Sequence, residues 1–203
     1  MLGYYNYTVI LTYMGMLTAF TGILAALGGN VSGALLCLMA AGIFDMVDGP
    51  VARLAERTEE EKRFGIQIDS LSDLISFGVL PGIILYVSEA GSGAGFFLSS
   101  VYVLCALIRL AYFNVTEEKR QNEESGERTC YQGLPVTMAA VILPLARILG
   151  NRTGLPGLNL IAVLIMAAAF LAPFKVKKPR IMGKIALAVL GCFGFLLLAG
   201  GAV

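Results

Sequence analysis

The sequence predicts an all-α, polytopic bundle of about seven membrane-spanning helices, and composition, apolar segments and basic residues all favour it. Of the 203 residues, 57% are hydrophobic and only 14% are charged, whereas soluble domains carry about a quarter charged residues. The mean hydropathy is +0.78. Since a spanning helix needs about 20 apolar residues, we expect a single integral membrane domain over residues 1–203.

Seven apolar segments are the candidate spans, at about 7–28, 31–52, 66–88, 94–115, 133–149, 157–174 and 183–202. Short turns such as Gly28-Gly29-Asn30 separate some of them, because glycine and asparagine favour turns. Longer charged connections lie at 53–65, 116–132 and 175–184. We interpret the first of these, including Glu59, Glu60 and Glu61, as a solvated loop.

The basic residues predict the orientation in the membrane. Twelve of the fifteen Lys and Arg residues lie in the three charged connections, which share one side if seven helices alternate. Arg147 and Arg152 fall at the opposite face, and Arg109 lies inside a span. Because loops rich in Lys and Arg normally face the cytoplasm, we expect a cytoplasmic N-terminus in the cell membrane.

The composition also excludes several functions. The net charge of +1, without a dense basic run, gives no reason to expect nucleic-acid binding. The chain has no histidine, which excludes a Ser-His-Asp mechanism and a His-ligated zinc site. A general base must then be a carboxylate, Lys, Tyr, Cys or a metal-bound hydroxide.

Two pairs of aspartates flank the first charged connection. Asp45 and Asp48 are three residues apart, and Asp69 and Asp73 are four apart, so each pair shares one helix face. Four carboxylates can therefore converge near the membrane surface, where their like charges need compensation. Carboxylate oxygens suit Mg²⁺, Mn²⁺ or Ca²⁺, and four carboxylates are enough for two such ions.

The residues around the aspartates favour a phosphate-bearing ligand. Gly49 directly follows Asp48 near the end of the second span. Gly65, Asp69 and Asp73 are each four residues apart and therefore lie along one face of a helix. A glycine lets a flat group approach the backbone closely. Arg53 lies about one turn beyond Gly49, and a guanidinium can bind a phosphate through two hydrogen bonds.

At all eight of its positions, this segment resembles the motif of the CDP-alcohol phosphatidyltransferases: Asp45-x-x-Asp48-Gly49-x-x-Ala52-Arg53, then Gly65-x-x-x-Asp69-x-x-x-Asp73. The spacer between Arg53 and Gly65 has eleven residues, 54–64, where the family usually has eight. Three extra residues in a surface loop cost little.

The resemblance implies a metal-dependent transfer with two ions of Mg²⁺ or Mn²⁺. Asp45, Asp48 and Asp69 would be metal ligands. Asp73 would complete the metal site and also serve as the base towards the acceptor hydroxyl.

The resemblance also implies a binding site for the CDP-lipid. Gly49, Ala52 and Gly65 would shape the cytidine pocket. Asp48 and Arg53 would contact the same substrate, with Arg53 at the pyrophosphate.

Further strings resemble the phosphatidylserine synthase branch of this family: Asp69-Ser70-Leu71-Ser72-Asp73, Ser76-Phe77-Gly78-Val79-Leu80-Pro81, Arg109-Leu110-Ala111-Tyr112-Phe113-Asn114 and Gly133-Leu134-Pro135. The branch often has a second Arg where Tyr112 stands and an Asn where Thr18 stands. This resemblance implies CDP-diacylglycerol and L-serine as substrates, CMP as a product, and a homodimer in membrane lipid. From the positions of the basic residues, we expect the active site at the cytoplasmic face.

Arg109, Asn114 and Ser76 are the candidates for binding the acceptor or a phosphate. Arg109 is an intramembrane cation whose charge must be compensated, either by the serine carboxylate or a lipid phosphate, or by an aspartate of the site. Two alternatives stay open: another acceptor, such as glycerol 3-phosphate or inositol, and an ion-coupled transporter whose carboxylates bind cations.

Overall fold

Seven α-helices form most of the computed structural model, which describes residues 3–5, 7–89, 92–123, 130–155 and 157–177. They are α1 (Tyr7–Leu27), α2 (Val31–Arg53), α3 (Glu59–Asp73), α4 (Leu80–Ser88), α5 (Gly93–Glu123), α6 (Ala139–Thr153) and α7 (Leu158–Leu171). A π-helical segment, Leu74–Val79, joins α3 to α4, and a 3-10 turn, Val136–Met138, precedes α6. The predicted helical architecture is confirmed for these residues, and the predicted segment 183–202 lies outside them.

Within the described residues, four helical stretches are long and apolar enough to cross a membrane: Val9–Leu27, Val31–Ala52, Glu59–Ser88 and Gly93–Lys119. The apolar helix α7 is shorter, with 14 residues. Length and composition therefore support an integral membrane protein. Seven spans and a cytoplasmic N-terminus stay predictions.

The first charged connection is mostly helix, so its interpretation as a loop was wrong. Only residues 54–58 separate α2 from α3, and Glu59 to Glu61 form the first turn of α3. The Glu61 N–H donates to Thr58 Oγ1 at 3.2 Å, and the Thr58 N–H donates to Glu61 Oε2 at 2.9 Å. This capping box begins the helix, and acidic side chains in a first turn are stabilised by the helix dipole.

A short antiparallel ladder joins two of the charged connections. Strand β1 (Cys130–Gln132) pairs with strand β2 (Lys175–Lys177), and Tyr131 lies opposite Val176. Gly133 follows β1 with φ +71°, and a Cβ there would lie 2.9 Å from the Phe170 carbonyl oxygen. This close contact between Gly133 and the Phe170 backbone holds the segment that precedes α6 against the end of α7.

Small residues let the helices pack closely. A Cβ on Gly42 of α2 would lie 2.8 Å from the Ala140 Cβ of α6. The buried core between the helices includes Leu38, Phe77 and Tyr102. Small residues at such contacts are typical of helices packed in membranes, where backbones must approach closely to gain dispersion energy. This packing holds α2, which carries Asp45 and Asp48, closely against α6.

Candidate active site

Three of the four predicted aspartates come together in the structure. One carboxylate oxygen each from Asp45, Asp48 and Asp69 lies within 4.8 Å of the other two. The first two belong to the end of α2, and Asp69 comes from α3. Asp73 is the last residue of α3, one turn beyond Asp69, and is not among the residues in that group.

The donor set fits a hard divalent cation. The three clustered side chains offer only carboxylate oxygens, the ligands that Mg²⁺, Mn²⁺ and Ca²⁺ prefer. Without a cation, three carboxylates this close would repel one another strongly, since Asp48 is only 9% exposed. The arrangement is therefore suited to hold a metal ion.

Thr12 of α1 links the two acidic helices, and the sequence reasoning missed it. Its Oγ1 donates to Asp48 Oδ2 at 3.1 Å, and its carbonyl oxygen accepts from Ser72 Oγ at 3.3 Å. Both hydrogen bonds are buried. Thr12 is one of several threonines in this apolar span, including Thr18 and Thr21, so nothing in the sequence distinguishes it as a contact of the aspartates.

Open space lies beside the carboxylates at Gly49. A Cβ built there would meet no atom within 4 Å, and Gly49 is exposed on the last turns of α2. Pro50 follows it within the helix, and a proline removes the hydrogen bond to the carbonyl four residues earlier. Ala52 is half-buried, and Arg53 is the last residue of α2.

Arg57 is a second residue that the sequence reasoning missed. Its Nη1 lies 3.4 Å from the position that a Cβ on Gly65 would take. Its Nε is buried and has no hydrogen-bond partner within the described part of the chain. Arg57 lies in a connection rich in Glu, Lys and Arg, and no pattern in the sequence predicts that it lies next to Gly65.

The π-helical segment begins directly after Asp73. Its Phe77 carbonyl oxygen accepts a hydrogen bond of 2.9 Å from the buried Tyr102 hydroxyl of α5. Ser76, an acceptor-site candidate, lies within this segment and is 2% exposed. Single π turns inside α-helices are frequent at functional sites, and this one sets the direction of the helix that follows the predicted base.

The other two acceptor-site candidates, Arg109 and Asn114, make specific contacts. Asn114 Oδ1 accepts from Ser70 Oγ at 2.9 Å, which connects α5 to the acidic helix α3. Arg109 is 5% exposed, and its Nε donates to the Leu134 carbonyl oxygen at 3.2 Å. Its guanidinium carbon lies 5.7 Å from the centroid of the Phe113 ring. The prediction that these residues bind the acceptor stays open.

A cavity of about 340 Å³ adjoins Arg109. Its lining includes Tyr112 from the same helix and the end of α7 with the residues that follow it, Leu171 to Pro173. Gly133 and Leu134 donate backbone hydrogen bonds to Phe174 and Ala169 nearby. The Gly-Leu-Pro string thus lies close to this cavity.

The N-terminal segment packs against the beginning of α3. The Tyr4 hydroxyl donates to Glu60 Oε2 at 2.6 Å, and the Tyr4 and Phe64 rings are 5.5 Å apart in an edge-on arrangement. The hydrogen bond to the Glu60 carboxylate raises the pKa of Tyr4, because losing the phenolic proton would break it and place two negative charges together.

Comparison with known proteins identifies the family. Residues 5–190 match the profile of the CDP-alcohol phosphatidyltransferases. The chain belongs to the CDP-alcohol phosphatidyltransferase family. The resemblance drawn from the aspartate motif is therefore confirmed.

Several curated relatives share a name that includes serine. The chain is 30% identical over 175 residues to an archaetidylserine synthase of Methanothermobacter thermautotrophicus, covering 86% of this chain and 70% of the relative. It is 35% identical over 146 residues to a CDP-diacylglycerol–serine O-phosphatidyltransferase of Saccharomyces cerevisiae, covering 66% and 52%. The protein of that name from Helicobacter pylori is 36% identical over 117 residues, covering 57% and 46%. The chain thus spans about half the length of the latter two relatives.

Proposed function

We propose that this phosphatidyltransferase moves the phosphatidyl group of CDP-diacylglycerol to L-serine and releases CMP. The observation that carries the proposal is the cluster of three carboxylates within 4.8 Å beside the open space at Gly49. The names of the relatives support serine as the acceptor. A relative named for archaetidylserine leaves the lipid chains, diacyl or ether, to experiment.

Asp45, Asp48 and Asp69 are the proposed ligands of Mg²⁺ or Mn²⁺, with Asp73 completing a site for two ions. When bound, the ions would neutralise the pyrophosphate and stabilise CMP as the leaving group. Thr12 holds the Asp48 carboxylate in place through its hydrogen bond. This hydrogen bond restricts the orientation of the Asp48 carboxylate before a metal ion binds.

The CDP-lipid is proposed to bind along the ends of α2 and α3. Gly49, Ala52 and Gly65 leave room for the nucleotide, and Arg53 contacts the pyrophosphate. Arg57 lies next to Gly65 with a buried Nε that lacks a partner in the described chain. A phosphate or cytidine carbonyl oxygen would satisfy that donor.

Asp73 is the proposed base. Its carboxylate takes the proton from the serine hydroxyl, whose oxygen then forms a bond to the phosphorus next to the lipid. The bond from that phosphorus to the bridging pyrophosphate oxygen breaks, and CMP leaves with that oxygen. Arg109, Asn114 and Ser76 are the proposed contacts of the acceptor or its phosphate, and Asn114 is already joined to α3 through Ser70.

We further propose that the enzyme is an integral protein of the cell membrane with its acidic site at the cytoplasmic face, and that it is a homodimer. The excess of basic residues in the connections near this site supports that orientation. Serine and CMP are water-soluble, so a site near the cytoplasm can exchange both with the cell interior.

An acceptor screen tests the proposed reaction. Purified protein in lipid vesicles receives CDP-diacylglycerol labelled in its phosphatidyl part, Mn²⁺ or Mg²⁺, and one of serine, glycerol 3-phosphate or inositol. We expect labelled phosphatidylserine with serine and no labelled product lipid with the other two. If product forms only with glycerol 3-phosphate or inositol, the protein is a phosphatidyltransferase but serine is not its acceptor. If no product forms with any acceptor, the result favours a transporter.

A further inference from the structure

A second polar cavity lies far from the aspartates. It has a volume of about 870 Å³, and its polar lining consists of Ser88, Glu89, Arg147, Asn151 and Asn159. Ser88 ends the continuous helix from Glu59 that carries Asp69. At about 1.5 Å per residue, the two positions are on the order of 25–30 Å apart, close to the thickness of a hydrocarbon core. The cavity therefore lies at the opposite membrane face from the acidic site.

Three polar atoms in this cavity are buried without a partner in the described chain. They are Ser88 Oγ at the end of α4, Arg147 Nε on α6 and Asn159 Oδ1 at the beginning of α7. An unsatisfied buried polar atom costs about 1–3 kcal/mol, and most buried polar atoms in proteins do have partners. A ligand that satisfies these three atoms from three helices must carry both donors and acceptors.

The charges around the cavity define the kind of ligand. The Arg147 guanidinium and the first turn of α7 both attract an anion, since the N–H groups of a helix N-terminus carry partial positive charge. Gly157 at that terminus provides no side-chain cap for them. Glu89 supplies a negative charge in the same cavity. A cavity lined by one cationic side chain, Arg147, and one anionic side chain, Glu89, matches a zwitterionic ligand better than a simple anion.

The surroundings of the cavity favour a lipid. Leu155 and Leu158 line it beside the polar groups, and Leu155 is 59% exposed. Leu149, one residue before the cavity-lining Gly150, is 55% exposed on α6. Exposed apolar side chains at the end of membrane helices provide a surface for acyl or glycerol groups next to a polar headgroup site.

We propose that this cavity binds a phosphate ester that carries an amine, as the headgroup of an aminophospholipid in the leaflet opposite the acidic site. Its phosphate contacts Arg147 and the beginning of α7, and its ammonium group contacts Glu89. Ser88 and Asn159 complete the hydrogen bonds. The site is separate from the transfer reaction and uses none of the residues assigned to it.

Lipid binding to the delipidated protein in detergent, measured by native mass spectrometry, tests this proposal. The probes are phosphatidylethanolamine, phosphatidylglycerol, which has the phosphate without the amine, and water-soluble O-phosphoethanolamine. We expect phosphatidylethanolamine to bind the wild type most tightly. Arg147→Gln should weaken it at least about tenfold, because a charge-assisted contact is lost. Glu89→Gln should remove the preference over phosphatidylglycerol.

Arg152→Gln is the matched control, because Arg152 is an exposed arginine on the same helix and does not line the cavity. Equal binding by wild type and Arg147→Gln, or equal weakening by Arg152→Gln, would overturn the proposal. If O-phosphoethanolamine binds and phosphatidylethanolamine does not, the cavity binds a soluble amine-bearing phosphate ester and the proposal of a lipid ligand is rejected. If Arg147→Gln does not fold, Glu89→Gln decides, since an unchanged lipid preference would reject the ammonium contact.

Discussion

At the scale of single residues, the central feature is the division between three clustered aspartates and a fourth. Asp45, Asp48 and Asp69 share one small volume, whereas Asp73 lies at the point where α3 passes into the π segment. Asp73 is proposed both to complete the metal site and to act as the base towards the acceptor. Its position one turn beyond Asp69 on α3 is consistent with both roles.

Asp73→Asn should lower kcat about 10²- to 10⁴-fold, the usual contribution of a positioned base. The amide keeps the shape of the side chain but cannot take the proton. Binding of CDP-diacylglycerol, measured by equilibrium dialysis in detergent micelles, should remain. Asp45→Asn should instead weaken metal-dependent CDP-lipid binding. Turnover by Asp73→Asn near the wild-type rate would remove Asp73 from the base role.

Arg57→Gln should raise the KM for CDP-diacylglycerol about tenfold and change kcat much less. The Arg57 guanidinium, whose Nη1 lies next to Gly65, would lose its proposed contact with the substrate, which is made in both the ground state and the transition state. Arg63→Gln is the control, because Arg63 is exposed on α3. Steady-state kinetics in mixed micelles distinguish the two. An unchanged KM in Arg57→Gln, or the same rise in Arg63→Gln, would contradict this role.

At the scale of elements, the π segment Leu74–Val79 connects the acidic helix to the rest of its span. The Tyr102 hydroxyl satisfies the Phe77 carbonyl within it, so α5 supports the irregular turn from outside. Gly78 packs closely as well, since a Cβ there would lie 3.3 Å from the Ala106 Cβ. The course of the chain directly after Asp73 is therefore supported by α5.

Tyr102→Phe should lower both stability and turnover. The buried Phe77 carbonyl would lose its side-chain donor, at a cost of about 1–3 kcal/mol. A shift of the π segment would move Asp73 and Ser76 and lower kcat without a matching rise in the KM for CDP-diacylglycerol. Tyr86→Phe, at a half-buried position on α4, should leave both nearly unchanged. A stable Tyr102→Phe protein with wild-type kcat would show that the hydrogen bond does not position the site.

Hydropathy and spacing predicted the elements that depend on local pattern, and missed those that depend on packing. The first two helices follow their apolar segments closely, at Tyr7–Leu27 and Val31–Arg53. The spacing of Thr58 and Glu61 is typical of a capping box, but the surrounding charged residues favour a loop and so led to the wrong prediction. No local pattern marks the π segment, because its stability depends on Tyr102 of another helix.

The candidate site shows the same division. The motif spacing predicted that the aspartates converge, since helical period alone places each pair on one face. The contact of Thr12 with Asp48 depends on how α1 packs between α2 and α3. The proximity of Arg57 to Gly65 depends on the short turn at 54–58. Neither of these contacts can be predicted from the spacing of residues along the sequence.

At the scale of the whole molecule, the two proposed sites lie at opposite ends of the helices. The acidic cluster lies near the α2–α3 turn, and the cavity around Arg147 lies near the far ends of α4 and α6. A membrane between them would place water-soluble serine and CMP on one side and the proposed lipid headgroup site on the other.

Thiol labelling tests this orientation. In a protein whose four native cysteines are replaced by alanine, Arg152→Cys, which lies outside the proposed lipid cavity, should react with a membrane-impermeant maleimide in intact cells. Glu60→Cys should react only after the cells are opened. Both positions are exposed, so access alone separates them. The opposite pattern would place the acidic site outside the cell and reject the cytoplasmic site.

The most direct test of the central claim is the metal dependence of serine-dependent CMP release by the purified wild-type protein in lipid vesicles. With CDP-diacylglycerol and serine present, a chelator should stop CMP release, and Mg²⁺ or Mn²⁺ should restore it. Without serine, CMP release should stay near the background. Serine-dependent release that continues in excess chelator, or no release with the metal restored, would contradict the assignment of the aspartates as the metal centre of a serine phosphatidyltransferase.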